Sequence, residues 1–117
     1  MLLTAEIDRL SPETAVVTFQ GSLTLGTSLK VADSQLQSAI AQGVTRLVID
    51  MSGVDFLDSA GLGMLVYTYG ALNEKSGTLR LCGVSERVAS VFKLTKTDSF
   101  LVMDDCREAS VAALNQA

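Results

Sequence analysis

The sequence predicts an α/β fold. One domain over residues 1–117 is expected, with a mixed, mostly parallel sheet of about four or five strands, about four helices and the order ββαβαβαβα. Three observations carry that expectation. Two strand-like segments stand together at the start of the chain, segments of helical periodicity then alternate with short apolar runs, and glycine or polar clusters separate them. A chain of 117 residues is a common size for a domain with one core.

The first two elements read as a hairpin. Leu3, Ala5 and Ile7 alternate with Thr4, Glu6 and Asp8, Ser11-Pro12-Glu13 makes a turn, and Ala15–Phe19 is a β-branched run that stops near Gly21. Residues 21–27 then read as a loop. Leu29, Ala32, Leu36, Ala39 and Ile40 recur at helical spacing, so an amphipathic helix of about four turns follows, capped by Thr27 or Ser28 and ended by Gly43. Leu47–Ile49 is a buried strand ending at Asp50 in a polar, glycine-containing turn, and a helix begins near Ser59. Strand, helix, strand in this order favours a parallel pair with a right-handed crossover. Thr78–Gly83 is the next strand, Val88, Val91 and Phe92 mark a short helix opening near Ser85, and Phe100–Val102 suits a brief last strand. Asp105 with Glu108 three residues on resembles the capping pattern before a C-terminal helix containing Ala109, Ala112 and Ala113.

Composition narrows the chemistry. With 48% hydrophobic and 19% charged residues the chain is globular. A net charge of −4 and nine scattered Lys and Arg residues give no footprint for a phosphate backbone, so nucleic acid is not expected as a partner. No apolar run approaches the roughly 18 residues that span a bilayer and no basic leader precedes one, so a cytoplasmic protein without membrane insertion is expected. Cys82 and Cys106 read as two reduced cysteines. With no histidine in the chain they cannot complete an ordinary zinc site alone, and no metal or cofactor is expected.

Residues 47–66 carry the functional signal. Asp58 is a natural N-cap, which puts Ser59 in the first turn of a helix, next to the apolar Phe56 and Leu57. A hydrolytic serine is disfavoured on three grounds. There is no histidine base, position 57 is Leu where a nucleophile elbow needs glycine, and no lysine lies within fifteen residues of Ser59. Gly53, Gly61 and Gly63 match no phosphate-binding loop, and Asp55 and Asp58 would repel a bound phosphate. Covalent phosphorylation of Ser59 is a different matter. About −1.5 to −2 charges at a helix N-terminus are favoured by roughly 0.3–1 kcal/mol. A partner packed over Phe56, Leu57 and Met64 would lose about 3–4 kcal/mol, roughly several-hundredfold in affinity. Taken without the surrounding stretch, a serine in a first turn is more often a plain cap or N-terminal filler than a regulated site. Along the helix, Leu62, Leu65, Val66 and Tyr69 share one face, with Met64, Tyr67 and Ala71 opposite, either covered by a neighbouring helix or part of a contact surface around Ser59.

Residues 47–63, Leu-Val-Ile-Asp-Met-Ser-Gly-Val-Asp-Phe-Leu-Asp-Ser-Ala-Gly-Leu-Gly, closely resemble the signature of STAS domains, and of the stand-alone bacterial anti-sigma-factor antagonists in particular. In those the pattern is a hydrophobic strand, Asp-Leu-Ser, an apolar link, then Asp-Ser-Ser-Gly-Leu-Gly. The resemblance extends over nearly the whole chain. It implies a protein-interaction module that is not an enzyme. Ser59 would be phosphorylated by an anti-sigma factor that is also a serine kinase and owns the ATP, and restored by a serine phosphatase. The implied contact surface comprises Thr24, Asp55, Phe56, Leu57, Asp58, Ala60, Gly61, Met64 and Tyr67. Two positions depart from the family pattern, since Thr24 stands where an aspartate is common and Ala60 where serine often follows the phosphoacceptor. Thr24 motivates the alternative implied function, a constitutive scaffold in a lipid-transport or stressosome-like complex, with no switch at Ser59.

Overall fold

The computed structural model describes residues 2–116. Strands β1 (Thr4–Arg9), β2 (Thr14–Leu23), β3 (Arg46–Leu57), β4 (Thr78–Cys82) and β5 (Val102–Asp104) alternate after β2 with helices α1 (Thr27–Ala41), α2 (Ser59–Glu74), α3 (Glu86–Thr95) and α4 (Arg107–Asn115). This is the expected ββαβαβαβα order, with one 3-10 turn at Thr97–Ser99. The strands lie in sequence order, β1-β2-β3-β4-β5, with β1 antiparallel to β2 and every later pair parallel. No helix among the described residues is long and apolar enough to cross a membrane.

Strand composition follows position in the sheet. The central strands are buried on both faces and read as continuous apolar runs, whereas edge strand β1 exposes every residue but Ala5, which is half-buried. Ala15, Val17, Phe19, Leu47, Ile49, Leu79 and Leu81 face one side, where α1, α2 and α3 pack in a single apolar core. Val16, Val48 and Cys82 face the other, where Leu114 and Val111 of α4 cover them. The helices therefore split three to one between the faces. Next to the smaller cluster, Arg80 donates to both Asp104 oxygens at 2.7 and 3.0 Å, and the buried Ser110 hydroxyl donates to Asp104 at 2.7 Å. Burial pushes the Cys82 thiol up to about 11, while Cys106 is exposed, and both are free.

Several boundaries differ from expectation, each for a tertiary reason. The turn expected after Asp50 is instead extended strand, because β2 runs beside β3 as far as Leu23 and supplies its backbone partners. Turn chemistry survives as a local irregularity: the Asp50 carboxylate accepts from the Ser52 amide at 2.9 Å and the Ser52 hydroxyl at 2.7 Å, and the register shifts between Thr18 and Gln20. Gly53 fits there because a Cβ would lie 2.9 Å from the Phe19 carbonyl. Helix α1 starts with Gly26, not Thr27 or Ser28, as its cap. It ends as expected at Gly43, whose amide donates to Ile40 while that of Val44 donates to Ala39, a Schellman motif. At the far edge, β5 pairs with β4 through Arg80–Val102, Leu81–Met103 and Cys82–Asp104, so the strand runs Val102–Asp104 rather than from Phe100, and the cap falls on Cys106 rather than Asp105.

Candidate functional site

The carboxyl ends of β2 and β3 meet at the start of α2, the end of a parallel sheet where α/β proteins ordinarily bind ligands. Asp58 joins the pieces. As N-cap of α2 it accepts from the Gly61 amide at 2.9 Å through one oxygen, and from the Leu25 amide at 2.9 Å through the other. Its own amide donates to the Leu23 carbonyl at 3.1 Å. One residue thus fixes the helix start and the loop after β2, and the bonds from Leu25 and Gly61 hold its carboxyl below the usual carboxylate range.

Gly61 lets α2 sit this close to β2. A Cβ there would lie 2.1 Å from the Leu23 carbonyl oxygen and 2.8 Å from the Leu23 Cβ. The helix start is therefore pressed against the strand end. Ser59, first residue of α2, is exposed, and its hydroxyl makes no hydrogen bond among the described residues. The Ser22 hydroxyl donates to Asp55 at 2.8 Å and lowers that carboxyl also. Phe56 is partly exposed, and the Arg87 guanidinium at the start of α3 lies 5.1 Å from its ring centroid.

The residues expected around Ser59 separate by depth. Phe56 and Tyr67 are exposed, at 39% and 64%, and Asp55 is exposed as well. Thr24, Asp58 and Ala60 are half-buried. Leu57, Gly61 and Met64 are buried, Met64 to 6%, so a partner would meet little of them directly. The expected division of α2 into two faces is also revised. Gly61, Met64, Leu65, Thr68 and Leu72 are the buried set, and Leu62, Val66 and Tyr69 are only half-buried. Met64 turns inward because α1 packs alongside α2. There it lines a groove of about 270 Å³ with Leu25, Leu29, Lys30, Ala60 and Tyr67.

Three neighbours of the site were not anticipated. Leu25 is 76% exposed, Ser22 holds Asp55, and Arg87 covers Phe56. Leu25 carried a signal, an apolar residue beside glycine in a loop with no periodicity to bury it. Ser22 and Arg87 are 33 and 31 residues from their partners, which only the sheet and the α3 start bring near. The described residues hold no cluster of three or more His, Cys, Asp or Glu side chains able to bind a metal.

Fold and site together define a small α/β domain that presents a serine at a helix start, flanked by carboxylates and partly exposed apolar side chains. Residues 6–109 match the family model of the STAS domain, and the chain belongs to that family. It is 29% identical over 85 residues to BtrV of Bordetella bronchiseptica, assigned as an anti-sigma factor antagonist, covering 73% of each chain. It is 37% identical over 54 residues to the anti-sigma-B factor antagonist of Staphylococcus epidermidis, covering 46% of this chain and 50% of that one. Among solved structures, the unphosphorylated anti-sigma factor antagonist SpoIIAA superposes with a TM-score of 0.85 at 21% identity, over 97% of this chain and 98% of that one. The phosphorylated form of the Bacillus SpoIIAA superposes with 0.76 at 20% identity, over 94% and 98%.

Proposed function

We propose that this protein is an anti-sigma factor antagonist whose binding is switched by phosphorylation of Ser59. The observation that carries the reading is the free, exposed Ser59 hydroxyl at the start of a 16-residue helix whose cap is already supplied by Asp58. With Asp58 capping, Ser59 need not cap and is available for modification. A phosphate on it gains from the helix dipole, while Asp55 and Asp58, both ionised, turn it toward solvent. The unmodified site offers Phe56, Leu25 and Tyr67 as apolar contact points, and a dianion between them would face desolvation at a packed interface.

The partner is an anti-sigma factor that phosphorylates Ser59 with its own ATP, and a serine phosphatase reverses the step. This chain acts as ligand and substrate rather than as an enzyme, in the cytoplasm where sigma factors work. Names of relatives support the antagonist role, and the two solved forms of SpoIIAA support a fold compatible with either phosphorylation state. Thr24 favours a second reading, a constitutive STAS scaffold of a lipid-transport or stressosome-like complex. No carboxylate stands at position 24, in the half-buried loop that Leu25 ties to Asp58.

Intact-mass measurement on protein from the native cell separates the two. A single added phosphate mapped to Ser59, absent in Ser59→Ala, supports the switch. The Ser59→Asp protein should bind the co-purifying kinase roughly several-hundredfold more weakly than the unmodified chain. Equal affinity would overturn the switch, and recovery of a membrane ATPase complex with no phosphate would favour the scaffold.

A further inference from the structure

The edge of the sheet opposite the Ser59 groove across α1 carries a second surface. Strand β1 pairs with β2 along one side only, so its outer edge has backbone N–H and C=O groups without strand partners. Helix α1 overhangs that edge. Between them runs a groove of about 520 Å³, walled by Ile7 and Arg9 of β1 and by Lys30, Val31, Ser34 and Ser38 of α1. A further hollow of about 200 Å³ continues it to Leu3 and Ala5, and Val31 and Gln35 line both. The trough therefore follows the whole length of β1. Ile7 is 38% and Val31 53% exposed, although both are apolar and face each other across it.

A helix beside a free strand edge, with an apolar trough between, is the arrangement that accepts an added strand. Main-chain bonds supply affinity, and alternate side chains entering the trough supply specificity. The charges say what that strand carries. The lining of the larger groove includes Arg9 and Lys30 and no acidic residue, in a chain of net charge −4, and neither cation is in an ion pair among the described residues. The other face of β1 is acidic, with Glu6 and Asp8 exposed and Asp8 held by Arg107 at 2.9 Å.

A second copy of this chain does not fit. In the two antiparallel self-pairings that align five residues of β1 in one continuous sheet, Glu6 falls opposite either Glu6 or Asp8 of the other copy. Like charges directly opposite are destabilising. A heterologous strand with complementary charges has no such conflict.

We propose that the β1 edge and the groove under α1 form a docking site for an extended segment of another protein, added antiparallel as a sixth strand. Opposite Arg9, Asp8, Ile7, Glu6, Ala5 and Thr4 it carries, in turn, a carboxylate, a basic residue, an apolar residue, a basic residue, an apolar residue and a small polar residue. This site lies on the far side of α1 from Ser59 and does not depend on the phospho-switch.

The test titrates isotope-labelled full chain with the blocked peptide Glu-Lys-Leu-Lys-Val-Thr. Saturable amide shifts across Thr4–Arg9 and at Lys30 and Val31, with slowed exchange of β1 amides, are expected. Peptides with proline at the Leu and Val positions, or with Lys and Glu exchanged, should bind at least about tenfold more weakly. The surface variants Lys30→Glu and Val31→Glu, checked for native spectra, should do the same, whereas Ser59→Asp should leave binding unchanged. No saturable shift at millimolar peptide, or shifts confined to the groove between α1 and α2, would overturn the proposal. So would sedimentation as a dimer joined through β1.

Discussion

Replacing Gly61 by alanine should separate α2 from the sheet end that carries Ser59. The added Cβ would stand 2.1 Å from the Leu23 carbonyl oxygen, more than 1 Å inside the ordinary carbon–oxygen approach of about 3.3 Å. The clash is with backbone and with the Leu23 Cβ, so no flexible tip can swing away. Overpacking of this kind costs about 1–3 kcal/mol. Moving α2 also strains the backbone bond that the Leu23 carbonyl accepts, worth about 1 kcal/mol, while the better helix propensity of alanine returns up to about 1 kcal/mol. A net loss of about 1–3 kcal/mol follows, or about 4 °C in Tm for each kcal/mol in a chain of this length. Gly70 provides the internal control. It lies in the same helix with nothing within 4 Å of its Cβ position, so Gly70→Ala should stabilise by about 0.5–1 kcal/mol. Urea unfolding at unchanged m-value reads both. Gly61→Ala at wild-type stability or above, or Gly70→Ala destabilised as much as Gly61→Ala, would refute the close-approach argument.

Four further outcomes are expected. The Arg80 guanidinium and then the Ser110 hydroxyl hold the Asp104 carboxyl below the usual carboxylate range. Its contribution is therefore present above the unfolded value near pH 4 and is lost as pH falls through the lowered folded value. Asp104→Asn should flatten the acid limb of a stability-against-pH curve. Cys82 has the opposite sign. With its thiol raised to about 11, its stabilising contribution is intact below the unfolded value near 8.5 and fades as pH rises toward about 11, and Cys82→Ala should lessen that alkaline loss. A thiol reagent at neutral pH should label exposed Cys106 quickly and Cys82 only as fast as the sheet opens, which mass spectrometry of the labelled chain distinguishes. Leu65→Ala, at a fully buried position on α2, should cost about 2–5 kcal/mol in urea unfolding.

Element order, the Asp58 cap, the amphipathic α1 and its glycine stop were legible because each depends on neighbours within about one helical turn or strand repeat. The STAS signature was legible for the same reason, being one contiguous stretch from strand to helix. Ser52-Gly53 could not be read as strand, since locally those residues prefer a turn and only the backbone of β2 holds them extended. The spacing left Met64 either covered by a neighbouring helix or open to a partner, because nothing within α2 announces that α1 lies against that face. The pairs Ser22–Asp55 and Arg80–Asp104 join residues 33 and 24 positions apart, and the groove under α1 exists only because β1 is an edge. By itself the sequence determined which segments are helix and strand and where a serine meets a helix start. The tertiary structure alone decided how far strands run, which helix faces are covered and what surrounds that serine, because those depend on contacts between segments whose placement no local propensity encodes.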